Sequence, residues 1–276
     1  MNILQAVVLG IVEGLTEFLP VSSTGHLTIA EKLLGLRVDD AGVTGFTAVI
    51  QVGAIAAVII FFAKDIWAMI SGFFGGLVSA ERRRGFDFHF GLTVGLGSIP
   101  VCVIGYLGKD LISGPLRNLW VVAAALIGWG AVMAYAERVG RQKRGERDIT
   151  IRDGVVIGLA QSLALIPGVS RSGATISTGL LRGLDRVAAT RLSFFLGIPA
   201  LVGAGVFELK DALGGNSVGV PALAIGTIVS FVVAYASIAW LLKFVANHSL
   251  VGFTLYRVLV GGMMIIALGA KVMQAT

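Results

Sequence analysis

The sequence predicts an all-α integral membrane protein, a polytopic helical bundle, and three observations lead to this fold class. First, 56% of the 276 residues are hydrophobic and only 14% are charged, whereas soluble domains carry about 25% charged residues. Second, six apolar stretches approach the ~20 residues that a helix needs to cross a bilayer. Third, the basic residues collect between these stretches, as the topology of membrane proteins requires. The net charge of +6 therefore indicates orientation, and no nucleic-acid partner is expected.

The apolar stretches divide into two kinds. Three stretches, at about 2–18, 25–36 and 153–183, are interrupted by Glu, Pro, Ser, Gly or Arg, which is typical of broken or re-entrant segments. The short stretch 66–80 contains glycine and is expected at the membrane interface or half-inserted. The predicted membrane spans are the six uninterrupted stretches, approximately 44–63, 90–108, 118–136, 191–208, 220–242 and 251–270.

The basic segments set the predicted orientation. Arg82, Arg83 and Arg84 form one basic cluster, and the loop 138–152 contains six basic residues. Both segments are predicted to be cytoplasmic. Counting spans from them places both termini on the extracytoplasmic side, and the two halves of the chain then have opposite orientations.

An inverted-topology repeat is therefore predicted within a single membrane domain, 1–276. Repeat 1 covers about 1–137 and repeat 2 about 153–273, joined by the basic loop 138–152, and each begins with a re-entrant helix pair. Such repeats place broken-helix tips together near the bilayer midplane, where substrate sites are built. Residues 148 positions apart support the repeat: Gly10 and Gly158, Leu15 and Leu163, Val21 and Val169, Ser22 and Ser170, Gly25 and Gly173, Phe46 and Phe194.

The first tip, residues 13–26, reads EGLTEFLPVSSTGH. Glu13 and Glu17 are four residues apart and share one face of a helix; carboxylates inside a membrane segment are costly and usually functional, although a hydrated pair near the surface is the simpler alternative. Hydroxyls and an imidazole that could serve as nucleophile, base or proton donor, or only as helix caps, follow at Ser22, Ser23, Thr24 and His26.

The second tip, residues 165–175, reads LIPGVSRSGAT. Proline and glycine interrupt the helix, and the next helix is expected to begin at about Gly173 with its N–H groups aimed at one point. Arg171 offers a planar guanidinium suited to phosphate, or it neutralises a glutamate of the first tip. The expected phosphate ligands are Arg171, Ser170, Ser172, Gly173, Thr175, Ser22 and Thr24. Arg257, in the last span, is a secondary candidate that could instead extend to the surface.

These two tip sequences resemble the signatures of bacterial undecaprenyl-diphosphate phosphatases of the bacitracin-resistance type. The similarity extends to FTAVIQVGAIAA at 46–57 and FTLYR at 253–257, and so covers nearly the whole chain. The resemblance implies hydrolysis of undecaprenyl diphosphate to undecaprenyl phosphate and phosphate, which recycles the lipid carrier of peptidoglycan synthesis and confers bacitracin resistance. It further implies a multi-pass protein of the bacterial inner membrane, with membrane lipids as partners and the site open to the extracytoplasmic side.

The family's functional positions fall on Glu13, Glu17, Ser23, His26 and Arg171, and the resemblance implies a divalent cation, Mg or Ca. The paired glutamates are its expected ligands, because hard cations favour carboxylate oxygens. Ser23 is the expected nucleophile, activated by His26, which alternatively protonates the leaving group. Glu17 is expected to orient His26 or bind the metal, and Glu13 assists.

Three alternatives stay open at this stage. Water activated by His26 or a glutamate could replace the serine nucleophile. A transporter or flippase of a lipid phosphate or a small anion would use the same repeat plan, although it gains nothing from paired carboxylates beside a hydroxyl. Glycine-rich helix faces at 72–76 and 261–262 pack either internally or against a second copy, so a homodimer is a further expectation.

Overall fold

The computed structural model describes residues 1–38, 40–108, 116, 118–213 and 218–272, without the side chains of 206–213. Six of its helices are long and apolar enough to cross a membrane, and they coincide with the six spans predicted from the sequence. The predicted end of repeat 2, at 273, lies outside the described residues. The six long helices are α3 (Ala41–Phe61), α6 (Phe86–Leu107), α7 (Leu119–Val139), α10 (Arg186–Leu213), α11 (Val220–Asn247) and α12 (Val251–Gly269).

The other helices in the described part of the chain are short. At 1.5 Å per residue, the 14 residues of α1 extend only about 21 Å, less than the ~30 Å hydrocarbon core. None of these described helices reaches the length of the six candidate spans. These helices are α1 (Ile3–Thr16), α2 (Ser23–Leu33), α4 (Ala63–Val78), α5 (Ala80–Arg83), α8 (Ile151–Gln161) and α9 (Arg171–Leu181).

Two helix pairs, α1 with α2 and α8 with α9, begin in the same way. Helix α1 starts with a capping box between Asn2 and Gln5, and α8 starts with one between Thr150 and Asp153. Each box satisfies N–H groups that a helix start leaves without an intrahelical partner. The two boxes lie 148 residues apart, which is the spacing that relates the halves of the sequence.

The turns of these pairs also correspond. Ser22 and Ser170 immediately precede the second helix of each pair and have φ values of 78° and 74°, a region that residues other than glycine rarely adopt. The second helices end alike, because Gly35 and Gly183 follow them with φ values of 69° and 84°. Both pairs of positions are again 148 residues apart, so the two helix pairs have the same local backbone design.

Close helix packing explains the glycine content. Helix α1 packs against α11, and α8 packs against α6. A Cβ atom on Gly14 would lie 2.6 Å from the carbonyl oxygen of Ser230, and one on Gly158 would collide with the backbone of Gly97. Small residues at these contacts let the two backbones approach, as in other membrane helix pairs.

The stretch predicted at the interface, 66–80, lies largely within helix α4, which packs against α6. Gly76 is buried at that contact, where the Phe88 ring occupies the space of an added Cβ atom. Trp67 and Phe74 are exposed. The depth of this helix in the membrane stays a prediction.

The basic loop 138–152 is tied to the helix ends around it. The fully buried carboxylate of Asp153 accepts hydrogen bonds from Arg144 Nη2 at 2.5 Å and Arg182 Nε at 2.8 Å. Burial by itself raises the pKa of Asp153, but hydrogen bonds from Arg144, Thr150 and Arg182 outweigh it and hold the pKa well below its ordinary value. This carboxylate therefore stays charged at neutral pH and fixes the loop to the start of α8.

Candidate active site

The two tips contact each other in the folded protein. Ser172 Oγ donates a hydrogen bond to the carbonyl oxygen of Leu19 at 2.9 Å. Arg171 Nη2 lies 3.3 Å from Glu17 Oε1. Residues that are about 150 positions apart in the chain thus form one site, as the repeat predicts.

Arg257 contacts both tips, although from the sequence it was only a secondary candidate. Its side chain is fully buried, so the surface position considered for it is wrong. Its guanidinium donates to the carbonyl oxygens of Pro20 at 3.2 Å, Gly168 at 2.8 Å and Val169 at 2.9 Å. Further donor contacts reach the carbonyl oxygens of Leu126 and Ala125 in α7. A buried charge needs such partners to offset its lost hydration, so Arg257 positions both turns at once.

Glu17 lies between the predicted nucleophile and the predicted phosphate ligand. Ser23 Oγ donates a hydrogen bond to Glu17 Oε2 at 2.6 Å, a length typical of a hydroxyl bound to a charged carboxylate. The other carboxylate oxygen faces Arg171. Because Glu17 is 7% exposed, the Ser23, Glu17 and Arg171 side chains form a largely water-excluded row.

The structure gives Arg171 both of the roles considered from its sequence context. It pairs with Glu17, and its Nη1 donates to the carbonyl oxygen of Ser193 at 3.2 Å. Its Nε is buried and donates no hydrogen bond within the described residues, so the two printed contacts leave donor capacity of the guanidinium for an anion. Gly197 is required beside it, because an added Cβ atom would collide with the guanidinium. Nothing in the sequence around Gly197 indicated this contact.

His26 is held away from Ser23 by other partners. Its Nδ1 lies 2.7 Å from the carbonyl oxygen of Ser22, and its Nε2 lies 2.7 Å from the Tyr256 hydroxyl. A carbonyl oxygen only accepts, so Nδ1 carries the proton and the Tyr256 hydroxyl donates to Nε2. The two rings also stack, with centroids 5.5 Å apart. Tyr256 was part of the FTLYR segment, but no spacing rule linked it to His26.

The first-tip hydroxyls differ in their surroundings. Ser22 occupies the N-cap position of α2 but makes no side-chain cap, and its carbonyl oxygen binds His26 instead. Thr24 is exposed, and Ser23 is half-buried. Of the three hydroxyls, only that of Ser23 contacts Glu17 in the described structure.

The second-tip hydroxyls are engaged within the protein. Helix α9 begins at Arg171, two residues before the expected Gly173, and Ser170 Oγ caps it by accepting from the Gly173 N–H at 3.2 Å. Thr175 is fully buried and donates to the Arg171 carbonyl oxygen at 2.8 Å. Ser172 is bound to the first tip. The hydroxyls of Ser170, Ser172 and Thr175 therefore stabilise the turn from which Arg171 reaches the site.

Glu13 is buried one helical turn before Glu17. Among the described residues, no group of three or more His, Cys, Asp or Glu side chains is arranged to hold a metal ion. Mg²⁺ is commonly bound by only one or two carboxylates together with substrate phosphate oxygens. The two glutamates therefore fit a cation that the substrate itself helps to coordinate.

Fold and site together define a multi-pass helical membrane protein with a serine, carboxylates and an arginine at the junction of two broken helix pairs. The family model described as bacitracin resistance protein BacA matches residues 6–263, and the chain belongs to this family. It is 58% identical to undecaprenyl-diphosphatase 1 of Streptomyces avermitilis over 274 residues, 99% of each chain. It is 54% identical to the undecaprenyl-diphosphatase of Acidothermus cellulolyticus over 275 residues, 100% of each chain.

Proposed function

We propose that this protein hydrolyses undecaprenyl diphosphate to undecaprenyl phosphate and inorganic phosphate, and thereby contributes to bacitracin resistance. The observation that carries the proposal is the row formed by Ser23, Glu17 and Arg171 at the meeting of the two tips. It combines a hydroxyl nucleophile, a proton acceptor and a phosphate ligand inside an apolar protein. The full-length relatives named undecaprenyl-diphosphatase support the same substrate.

The geometry favours Glu17 as the group that activates Ser23. As Ser23 Oγ attacks the terminal phosphorus, its proton passes to Glu17 Oε2, 2.6 Å away. The bond from that phosphorus to the bridging oxygen breaks, and undecaprenyl phosphate leaves. Water then attacks the phosphoserine and releases phosphate, with the proton balance restored through the same carboxylate. Arg171 stabilises the negative charge on the transferred group.

His26 was expected to activate Ser23, but its ring nitrogens have other partners in the structure. Its Nε2 accepts from Tyr256, so Ser23 activation by this ring would require the Tyr256 contact to break. We assign His26 to the protonation of the departing phosphate oxygen after the ring has taken up a proton from solvent; Nε2–H of the imidazolium then turns from the Tyr256 hydroxyl to that oxygen, and Tyr256 sets the ring's orientation beforehand. Direct attack by water is the remaining route, and it uses the same residues without a phosphoserine.

A divalent cation, Mg or Ca, is part of the proposal. Glu13 and Glu17 would hold it together with diphosphate oxygens, and when bound it would reduce the negative charge of the substrate. Removal of divalent cations with a chelator should abolish phosphate release, and added Mg²⁺ or Ca²⁺ should restore it.

The helix pairs are proposed to be re-entrant halves of an inverted repeat. The shared spacing of 148 residues between capping boxes, serine turns and terminal glycines supports this. So does the exchange of partners, since α1 packs on α11 of the second half while α8 packs on α6 of the first. We place the protein in the bacterial inner membrane with both termini and the site opening extracytoplasmic; a homodimer is retained as an expectation for size measurement in detergent.

The test is phosphate release from undecaprenyl diphosphate by the purified protein. Ser23→Ala should reduce the rate by several orders of magnitude, because no other hydroxyl of the first tip contacts Glu17. Ser71→Ala is the matched control, since Ser71 is exposed on α4 and bonds only to its own helix. Well-folded wild-type protein that released no phosphate would refute hydrolysis and bring a transporter of lipid phosphate into consideration.

A further inference from the structure

A second positively charged site lies at the start of α8, whereas the candidate active site follows the end of that helix. It is a cleft of about 660 Å³ between the start of α6 and the end of the 138–152 loop. We call it the basic cleft. Its lining includes three arginines, a histidine and apolar side chains: Arg84, Arg147, Arg152, His89, Phe86, Ile149 and Ile151.

The arginines of the basic cleft have no carboxylate partner among the described residues, as is also true of Arg138 and Arg141, but they line one cleft together. Arg84, Arg147 and Arg152 form no ion pair with any described residue, and no acidic side chain is among the described residues that line the cleft. The carboxylate of Glu146 binds Arg191, and that of Asp148 accepts the Gly145 N–H. Nearby arginines are paired: Arg144 and Arg182 with Asp153, Arg186 with Glu137, and Arg191 with Glu146 and Asp65.

Two helix N-termini add to this positive field. Phe86 is the first residue of α6, and its N-cap residue, Gly85, supplies no side-chain cap. Ile151 is the first residue of α8, where the Thr150 side chain caps Asp153. N–H groups and helix dipoles at such ends favour anions. The capping box already satisfies N–H groups at the start of α8, so three guanidinium groups and the uncapped start of α6 line one cleft.

The location of the cleft identifies the source of the anion. Helix α6 begins there and is one of the six spans, and its exposed side chains include Ile99 at 53% and Val103 at 50%. An acyl chain lying along this face would bring its headgroup to the start of the helix. Basic pockets between helix ends are typical sites for anionic lipid headgroups.

We propose that the basic cleft binds the phosphate headgroup of an anionic membrane phospholipid. Arg84, Arg147 and Arg152 contact the phosphate oxygens, while Phe86 and Ile151 contact the glycerol and upper acyl chain. This site is separate from the catalytic tips, so its occupancy does not depend on hydrolysis of the substrate.

The test measures phospholipid binding to the purified full-length protein. Detergent micelles containing phosphatidylglycerol or phosphatidylcholine are titrated, and bound lipid is counted by native mass spectrometry. The cleft variant carries Arg84→Gln, Arg147→Gln and Arg152→Gln. The control variant carries Arg138→Gln, Arg141→Gln and Lys143→Gln, which remove the same charge from exposed positions of the same loop region.

The cleft variant should bind phosphatidylglycerol at least about tenfold more weakly than wild type, since each arginine near a lipid headgroup contributes an appreciable share of the attraction. The control variant should retain tight binding, and phosphatidylcholine should bind weakly throughout. Equal losses in both variants would show a general charge effect and overturn the proposal. Displacement of the lipid by millimolar inorganic phosphate would overturn it too, because the cleft would then be a site for free phosphate. Matched melting temperatures verify that both variants are folded.

Discussion

Replacing Arg257 with methionine tests whether this side chain holds the two tips together. The substitution keeps an unbranched chain of similar length but removes all donors to Pro20, Gly168 and Val169, which lie 2.8–3.2 Å away. Each hydrogen bond from a charged group contributes about 1.5–3 kcal/mol, and a carbonyl left unsatisfied costs a further amount. Loss of the buried positive charge offsets part of this, because charged groups are costly to bury.

We expect Arg257→Met to lower the free energy of unfolding by about 3 kcal/mol. For a chain of this size that corresponds to a fall in melting temperature of about 6–12 °C, measurable by intrinsic fluorescence in detergent. The rate of phosphate release should fall by a larger factor than the loss of folded protein explains, because Glu17 and Arg171 lie on different tips and lose their alignment. Arg257→Lys should recover part of the stability and little of the activity, since one ammonium group cannot reach all three carbonyl oxygens.

The control for the two Arg257 substitutions is Arg138→Met, at an exposed position near the end of α7. It should leave melting temperature and activity unchanged. If Arg257→Met kept the wild-type melting temperature and rate, the claim that this arginine positions the tips would be wrong.

Three other substitutions have defined outcomes. Gly197→Ala should cut phosphate release by about 100-fold with little loss of stability, because the new methyl group displaces Arg171. Tyr256→Phe should lower kcat about five- to tenfold, the effect of one hydrogen bond, and move the pH profile of the rate, because His26 loses the donor at Nε2. Asp153→Asn should cost about 2 kcal/mol at neutral pH. The folded pKa of Asp153 is depressed, so its stabilisation is fully present above about pH 4 and is lost as the pH falls towards the folded pKa; in thermal unfolding from pH 7 to 3, the difference between wild type and variant should be constant down to about pH 4 and smaller at pH 3.

Each has a control substitution of the same chemical type at a position without the contact being tested. Gly203→Ala lies on the same helix as Gly197 but has open space around the added methyl group, so it should be silent. Tyr235→Phe removes a hydroxyl that forms no hydrogen bond among the described residues, from a tyrosine whose ring packs against Phe61 and Phe231. Asp87→Asn neutralises an exposed acid. A loss in a control equal to that in its partner variant would contradict the assigned contact.

Spacing and composition predicted the tips well because their signals are local. Pro20, and Pro167 with Gly168, lie among serine and glycine residues that favour a turn, and Glu13 and Glu17 share a helix face by periodicity alone. The start of α9 was placed two residues late, because the cap formed by Ser170 depends on a positive φ that no local pattern specifies for serine.

Contacts between residues far apart in the chain could not be predicted from local sequence patterns. The partner of Ser23 was expected to be His26, three residues away, whereas the folded chain pairs it with Glu17. Tyr256 lies 230 residues from His26, and Gly197 meets Arg171 from a different helix. Nothing in one stretch of sequence encodes the partner that a distant helix will present.

The sequence by itself determined the six candidate spans, the two interrupted tips and the inventory of reactive groups, because hydrophobic length, helix-breaking residues and buried charge act within a single segment. Only the tertiary structure decided which of those groups touch. Packing of α1 on α11 and of α8 on α6, allowed by glycine at their contacts, brings the tips together. The buried Arg257 then requires carbonyl partners from both, and that requirement for hydrogen bonds determines how the site is assembled.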